Sequence, residues 1–234
     1  MNSHNSLYTV DSKISPRALP PLVAEPTIYA VAGSPGAGKT TFIVRALEKG
    51  LLPRDASIHD CDAVMCSLDD YKSDRNSMGP IPAFIKWELP AREIAEADLG
   101  KTIEAGNDVI YDRSCGLLSS YLFLKHLIEK KSYRLVMHVL YIHVSEALAR
   151  TRAREELTGR HIPEETLRER LRMLSGLWPS YLALSQEAYL YESCDNEFRP
   201  VAKYGKGGGL QIKNPQVYEE FLSANRLLSV VPHM

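Results

Sequence analysis

The stretch GSPGAGKT, running from Gly33 to Thr40, limits what this chain can fold into more than any other feature. A backbone that binds phosphate needs several N–H groups aimed at one point. Glycines let the chain bend around the anion, and a helix that follows adds its positive end. Gly33, Gly36 and Gly38 supply the bend, with Ser34, Pro35 and Ala37 between them. Lys39 holds the position that reaches the β- and γ-phosphates, and Thr40 the position whose hydroxyl binds Mg²⁺, with Thr41 beside it. The flanks agree. TIYAVA (27–32) reads as a buried parallel strand, and 39–49 as a helix with Phe42, Ile43, Ala46 and Leu47 on one stripe and Gly50 at its stop. ATP and Mg²⁺ are the expected ligands.

The rest of the chain keeps alternating strand and helix. A second strand ends near His59–Asp60, a helix spans 82–105 and closes at Gly106, and VIYD (109–112) is a third strand. A helix over 119–131 precedes the most apolar strand, 134–144. A helix over 145–157 stops at Gly159, and another opens at Pro163 with Glu164 and Glu165 in its first turn. Short strands at 188–191 and 201–204 and a helix at 215–228 complete the pattern. The alternation predicts an α/β P-loop NTPase fold, a parallel sheet with helices on both faces. Residues 1–25, rich in Ser, Asn and Pro, read as a flexible arm, and 26–234 as a single kinase domain.

Ligands of such sheets bind beyond the carboxyl ends of the strands, where carboxylates recur in this chain. A kinase needs one to orient the acceptor hydroxyl and take its proton. Asp62 is preferred and Asp60 is the alternative, each also suited to capping a helix. Asp112 ends the third strand and suits the metal shell, unless it or Ser114 caps a helix. In ARTRAREELTGRH (149–161), Arg150 and Arg154 share a helical face while Arg152 points elsewhere. Ending in a glycine break at Gly159 before Arg160, this segment suits a lid over ATP, or else a solvated face paired with neighbouring glutamates.

Bulk properties narrow the partners. With 28 Lys+Arg against 29 Asp+Glu, the net charge is −1, so there is no global basic field for nucleic acid. There is no run of 18 apolar residues and no basic-then-apolar N-terminus, so neither a membrane span nor a classical signal peptide is expected. Cys61, Cys66, Cys115 and Cys194 form no C-x-x-C pair and fit a reducing, cytoplasmic setting, although export as an effector by another route leaves no such mark. His59, His126, His138 and His143 read as core or edge histidines.

From about Thr27 to Glu192 the chain resembles the zeta-toxin family of P-loop kinases. The resemblance rests on the phosphate loop, the D-x-D at 60–62, Arg154 to Pro163, EAGN at 104–107 and QEAYLYES at 186–193. It implies Lys39 and Thr40 as loop lysine and Mg²⁺ residue, Asp62 as catalytic base, and Arg154 and Arg160 as phosphate-holding arginines. The family's acidic position on the third strand corresponds to Asp112, or to Tyr111 if the register slips by one. Glu96 is the nearest match to a substrate glutamate, and Arg113 and Asp60 are further substrate candidates.

The implied reaction is phosphorylation of a sugar hydroxyl on a nucleotide-like molecule, with UDP-N-acetylglucosamine first and the ribose of NAD as an alternative. The region 63–95 departs from the toxin pattern and is where the acceptor pocket is expected. A polynucleotide 5′-hydroxyl kinase and a non-catalytic nucleotide-binding module are the competing functions. An antitoxin or chaperone protein is the implied partner.

Overall fold

Strand β1 (Thr27–Gly33) is buried along almost its whole length, and the alternation of its side chains sets the layering. Ile28, Ala30 and Ala32 join one large core cluster, while Val31 joins another. A strand packed on both faces needs helices above and below it. The computed structural model describes residues 25–195 and 197–225. After β1 come α1 (Lys39–Glu48), β2 (Ser57–His59), α2 (Cys61–Ser67), α3 (Asp69–Met78), α4 (Pro80–Glu104), β3 (Val109–Asp112) and α5 (Leu118–Lys131). The remainder is β4 (Arg134–Tyr141), α6 (Val144–Thr158), α7 (Glu164–Leu184), β5 (Glu187–Cys194), β6 (Glu197–Gly205), β7 (Gly209–Ile212) and α8 (Pro215–Ser223).

One seven-stranded sheet has the order β2-β3-β1-β4-β5-β6-β7. The first five strands are parallel, as expected, but β6 and β7 add an antiparallel ribbon at one edge. On one face Leu124 of α5, Trp178 and Tyr181 of α7 and Phe221 of α8 cover β1, β3, β4 and β5. On the other, Phe42, Ile43 and Ala46 of α1 and Ala147 of α6 cover Val31, Ile110 and Leu140. Trp178, Tyr181 and Phe221 are fully buried, each contributing about 1.5–3 kcal/mol of transfer free energy.

Several elements differ from expectation. The fourth strand stops at Tyr141 rather than at 144, because the His143 carbonyl already accepts from Ala147 N–H (2.9 Å) and starts α6. Helices α2 and α3 fill 61–78, where no element was expected. The polar α3 buries only Tyr71, which joins Met65 of α2 against Ala83, Phe84 and Ala91 of α4. The last helix ends at Ser223, with Ala224 as its C-cap, short of the expected 228; residues 226–228 lie outside the described residues, as does the arm before residue 25. No helix among the described residues is long and apolar enough to cross a membrane, and the four cysteines are free thiols.

Candidate active site

The carboxyl ends of β1, β3 and β4 lie side by side, with Val31 opposite Asp112 and Gly33 opposite Leu140. The loop after β1 turns sharply there. Gly36 has φ +83°, and a Cβ on it would lie 2.7 Å from the Ala147 carbonyl oxygen of α6, so both conformation and packing require glycine. Helix α1 begins at Lys39, and the N–H groups of its first turn have no acceptor within the helix. With the helix dipole they form an anion site. Lys39 Nζ lies 3.9 Å from Asp112 Oδ1 and donates to the Gly33 carbonyl at 3.5 Å.

The two aspartates after β2 divide their work. Asp60 Oδ1 caps α2, accepting from Asp62 N–H (2.9 Å) and Ala63 N–H (3.3 Å). The cap leaves the Asp62 side chain to face the cleft. Its Oδ2 accepts from Arg154 Nη2 at 2.6 Å and from Arg160 Nη1. Asp112 caps nothing. Burial pushes its carboxyl above the usual range, opposed by Lys39 and reinforced by the charges of Asp60 and Asp62.

Arg150 and Arg154 sit one turn apart on α6, and Arg160 follows its C-terminal glycine, Gly159. Arg150 donates to the Gly36 carbonyl (3.3 Å) and Ser193 Oγ (3.2 Å), and pairs with Glu146. Arg113, just after β3, donates to Glu96 Oε1 and His59 Nε2, each at 3.2 Å.

These groups wall one cleft of about 660 Å³. Of the residues expected from sequence, Pro35, Gly36, Gly38, Lys39, Thr40, Thr41, Asp60, Asp62, Asp112, Arg113, Arg154 and Arg160 line it. Gly33, Ser34 and Ala37 do not; Ser34 and Ala37 are buried behind the wall. Glu96 reaches the cleft only through Arg113. The cleft also takes Arg150, which shares a helical face with Arg154, as well as Arg170, and it takes Phe84, Glu88 and Arg92 of α4; no sequence motif singles out these last three. The spacing of the last three, four residues apart, puts them on one helical face once α4 is known. Seven Lys or Arg side chains face four carboxylates in this cleft, in a chain whose net charge is −1.

A sequence model of the family described as Zeta toxin matches residues 13–176. Crystal structures of the AvrRxo1-ORF1:AvrRxo1-ORF2 complex share the fold. The native form gives a TM-score of 0.66 at 16% identity, covering 88% of this chain, and the form with ATP gives 0.67 at 17%, covering 89%. In both cases this chain spans 66% of the matched chain's length. A structure from the PezAT chromosomal toxin–antitoxin system of the human pathogen Streptococcus pneumoniae gives 0.60 at 15% identity, covering 87% of this chain and 85% of that one. No curated protein sequence matches.

Proposed function

We propose, from the premise that this chain belongs to the zeta toxin family, that it is an ATP-dependent kinase. Its acceptor is a sugar hydroxyl on a nucleotide-like small molecule, UDP-N-acetylglucosamine before NAD. The observation that carries this reading is the position of Asp62. Its carboxylate stands in the same cleft as Lys39 and Asp112, and the guanidinium groups of Arg154 and Arg160 converge on it.

In this mechanism the loop amides and Lys39 hold the β- and γ-phosphates. Thr40 and Asp112 fit a Mg²⁺ ion: a hydroxyl and one buried carboxylate, with phosphate oxygens and water completing the shell, is the donor set that ion takes. Bound Mg²⁺ would draw charge from the phosphate oxygens. Asp62 orients the acceptor hydroxyl and accepts its proton as the oxygen attacks the γ-phosphorus. The new O–P bond forms while the bond to the β-γ bridging oxygen breaks, and ADP leaves.

Arg154 and Arg160 both donate to Asp62 Oδ2. The γ-phosphate competes for the same guanidinium donors, so ATP binding would draw them off the base and onto the charge that develops in transfer. The turn from Gly159 to Pro163 then acts as the lid that carries Arg160. The AvrRxo1 and PezAT structures come from complexes or systems of two proteins, which supports a protein partner, an antitoxin or chaperone, for this chain too.

The test is incubation with labelled ATP and Mg²⁺ plus UDP-N-acetylglucosamine, other UDP-sugars, NAD, nucleosides or RNA, with products read by mass spectrometry. A phosphorylated UDP-sugar is expected. Asp62→Asn should keep ATP binding and lower turnover by on the order of 10²- to 10⁴-fold. ATP binding without transfer to any acceptor would favour a non-catalytic nucleotide module. Product on RNA alone would favour a polynucleotide kinase.

A further inference from the structure

His59 ends β2 and is buried at 6% exposure, in a position that reads from sequence as an ordinary core histidine. Its surroundings are more specific than that. The imidazole stacks on Tyr111 of β3, with ring centroids 5.5 Å apart and planes 7° from parallel. The ring presents Nε2 to Arg113 Nη2 at 3.2 Å. A guanidinium can only donate, so Nε2 must be the bare nitrogen and the proton must sit on Nδ1.

Arg113 is held on three sides. His59 accepts on one, Glu96 accepts on a second, and the Tyr111 ring lies 6.0 Å below the guanidinium carbon. Its Nε is buried without a hydrogen-bond partner among the described residues. Partial burial of a cation is costly unless it is paired, and Glu96 and His59 supply the pairing. Arg113 lines the cleft together with Asp112 and with Arg150 and Arg154 of α6.

We propose that His59 is a positioning residue for the acceptor: buried and stacked on Tyr111, with Nε2 turned to Arg113, it aims Arg113 at an anionic group of the acceptor, a phosphate or diphosphate. This role presupposes the kinase reading above, with the acceptor entering between α4 and β3. Glu96 supplies countercharge from a side chain that is 57% exposed. His59 supplies the direction, because burial and stacking on Tyr111 fix its own orientation.

Two readouts test the role. Long-range ¹H–¹⁵N NMR of histidine-labelled protein should show His59 neutral with the proton on Nδ1, and its Nε2 resonance should move in Arg113→Gln. A proton on Nε2, or no response to that substitution, overturns the proposal whether or not the protein is active. In the transfer assay with UDP-N-acetylglucosamine, His59→Phe keeps the stacked ring and removes the acceptor nitrogen. The KM for the acceptor should rise roughly 3- to 10-fold, the net worth of about one ordinary hydrogen bond because the loss reaches the acceptor only through Arg113, with the KM for ATP and the melting temperature nearly unchanged. His59→Gln, which restores an acceptor atom, should recover most of that loss. Unchanged acceptor KM in His59→Phe, or an equal rise in both KM values, refutes the positioning role in an active protein. Wild-type protein that phosphorylates nothing refutes the kinase reading instead, and the NMR result still stands or falls by itself.

Discussion

Gly159→Ala tests whether the turn that carries Arg160 is held by close packing. Gly159 ends α6 at φ +76°, and a Cβ there would lie 2.3 Å from both the backbone carbon and the carbonyl oxygen of Pro80, at the start of α4. Gly106 supplies the control: it has φ +68° after α4 and nothing within 4 Å of an added Cβ. Both substitutions incur the left-handed backbone cost of about 1 kcal/mol. Only Gly159→Ala adds a clash with backbone, which cannot be relieved by a rotamer change and costs about 1–3 kcal/mol more. The expected losses are therefore about 1 kcal/mol for Gly106→Ala and about 2–4 kcal/mol for Gly159→Ala, or roughly 2–4 °C and 5–15 °C in a domain of this size.

Urea unfolding followed by circular dichroism measures both. Relief of the clash must move α6's end away from α4, and with it Arg160, so turnover at 25 °C should fall in Gly159→Ala beyond any loss of folded protein. Arg75 Nη2, which donates to the Leu157 carbonyl at 2.6 Å, marks the same seam from the α3 side. Equal destabilisation by the two substitutions would refute the packing account. Full turnover in Gly159→Ala would refute the coupling to Arg160.

Two further outcomes follow from buried charge. Burial lowers His138 to a pKa of about 4, and burial with the Arg113 charge does the same for His59. Between the unfolded value near 6.5 and about 4 the folded protein binds fewer protons than the unfolded chain, so stability is lost as pH falls through that window, by at most about 3 kcal/mol per histidine. Urea midpoints from pH 7 to pH 4.5 should show the decline, and His138→Phe should flatten it; an unchanged slope argues against a neutral buried imidazole. Asp112→Asn removes a carboxyl whose folded pKa is raised, a group whose contribution to stability is lost as pH rises. The ligand-free variant should therefore match or exceed wild type in melting temperature at pH 8, while Mg²⁺ affinity in the presence of ATP falls roughly 10- to 100-fold. A variant that loses stability without ligand and keeps its Mg²⁺ response contradicts both halves.

The parts of the molecule legible in the sequence are those fixed by short-range chemistry. The phosphate loop needs glycine at Gly36 for a backbone angle and a close approach, and VIYD ends where β3 ends because Asp112 closes an apolar run. What was not legible depends on partners distant in sequence. Helix α3 has almost no apolar stripe, and it is held by one tyrosine, Tyr71, against residues of α4. Strand β7 is exposed along its length, so it lacks the alternation that would mark it, and it exists because β6 offers it a paired edge. Arg150 was visible as an arginine on the right face of α6, but its contacts with Gly36 and Ser193 depend on 114 and 43 residues of chain folding back.

The ambiguity between Asp60 and Asp62 shows how the fold resolves what composition leaves open. Both residue types cap helices, and both can serve as bases. A cap must sit before the first turn, with extended backbone, so that its oxygen meets the N–H groups two and three residues on. Asp60 meets that requirement, with φ −133° and ψ 108°. Once Asp60 is committed to those amides, Asp62 is placed inside the first turn, where its side chain points off the helix and finds arginines 92 and 98 residues away in sequence. The same cap ties Asp62 to the end of β2, next to His59. On the proposed roles, base and positioning residue share one strand end, so a shift of that strand would move both together.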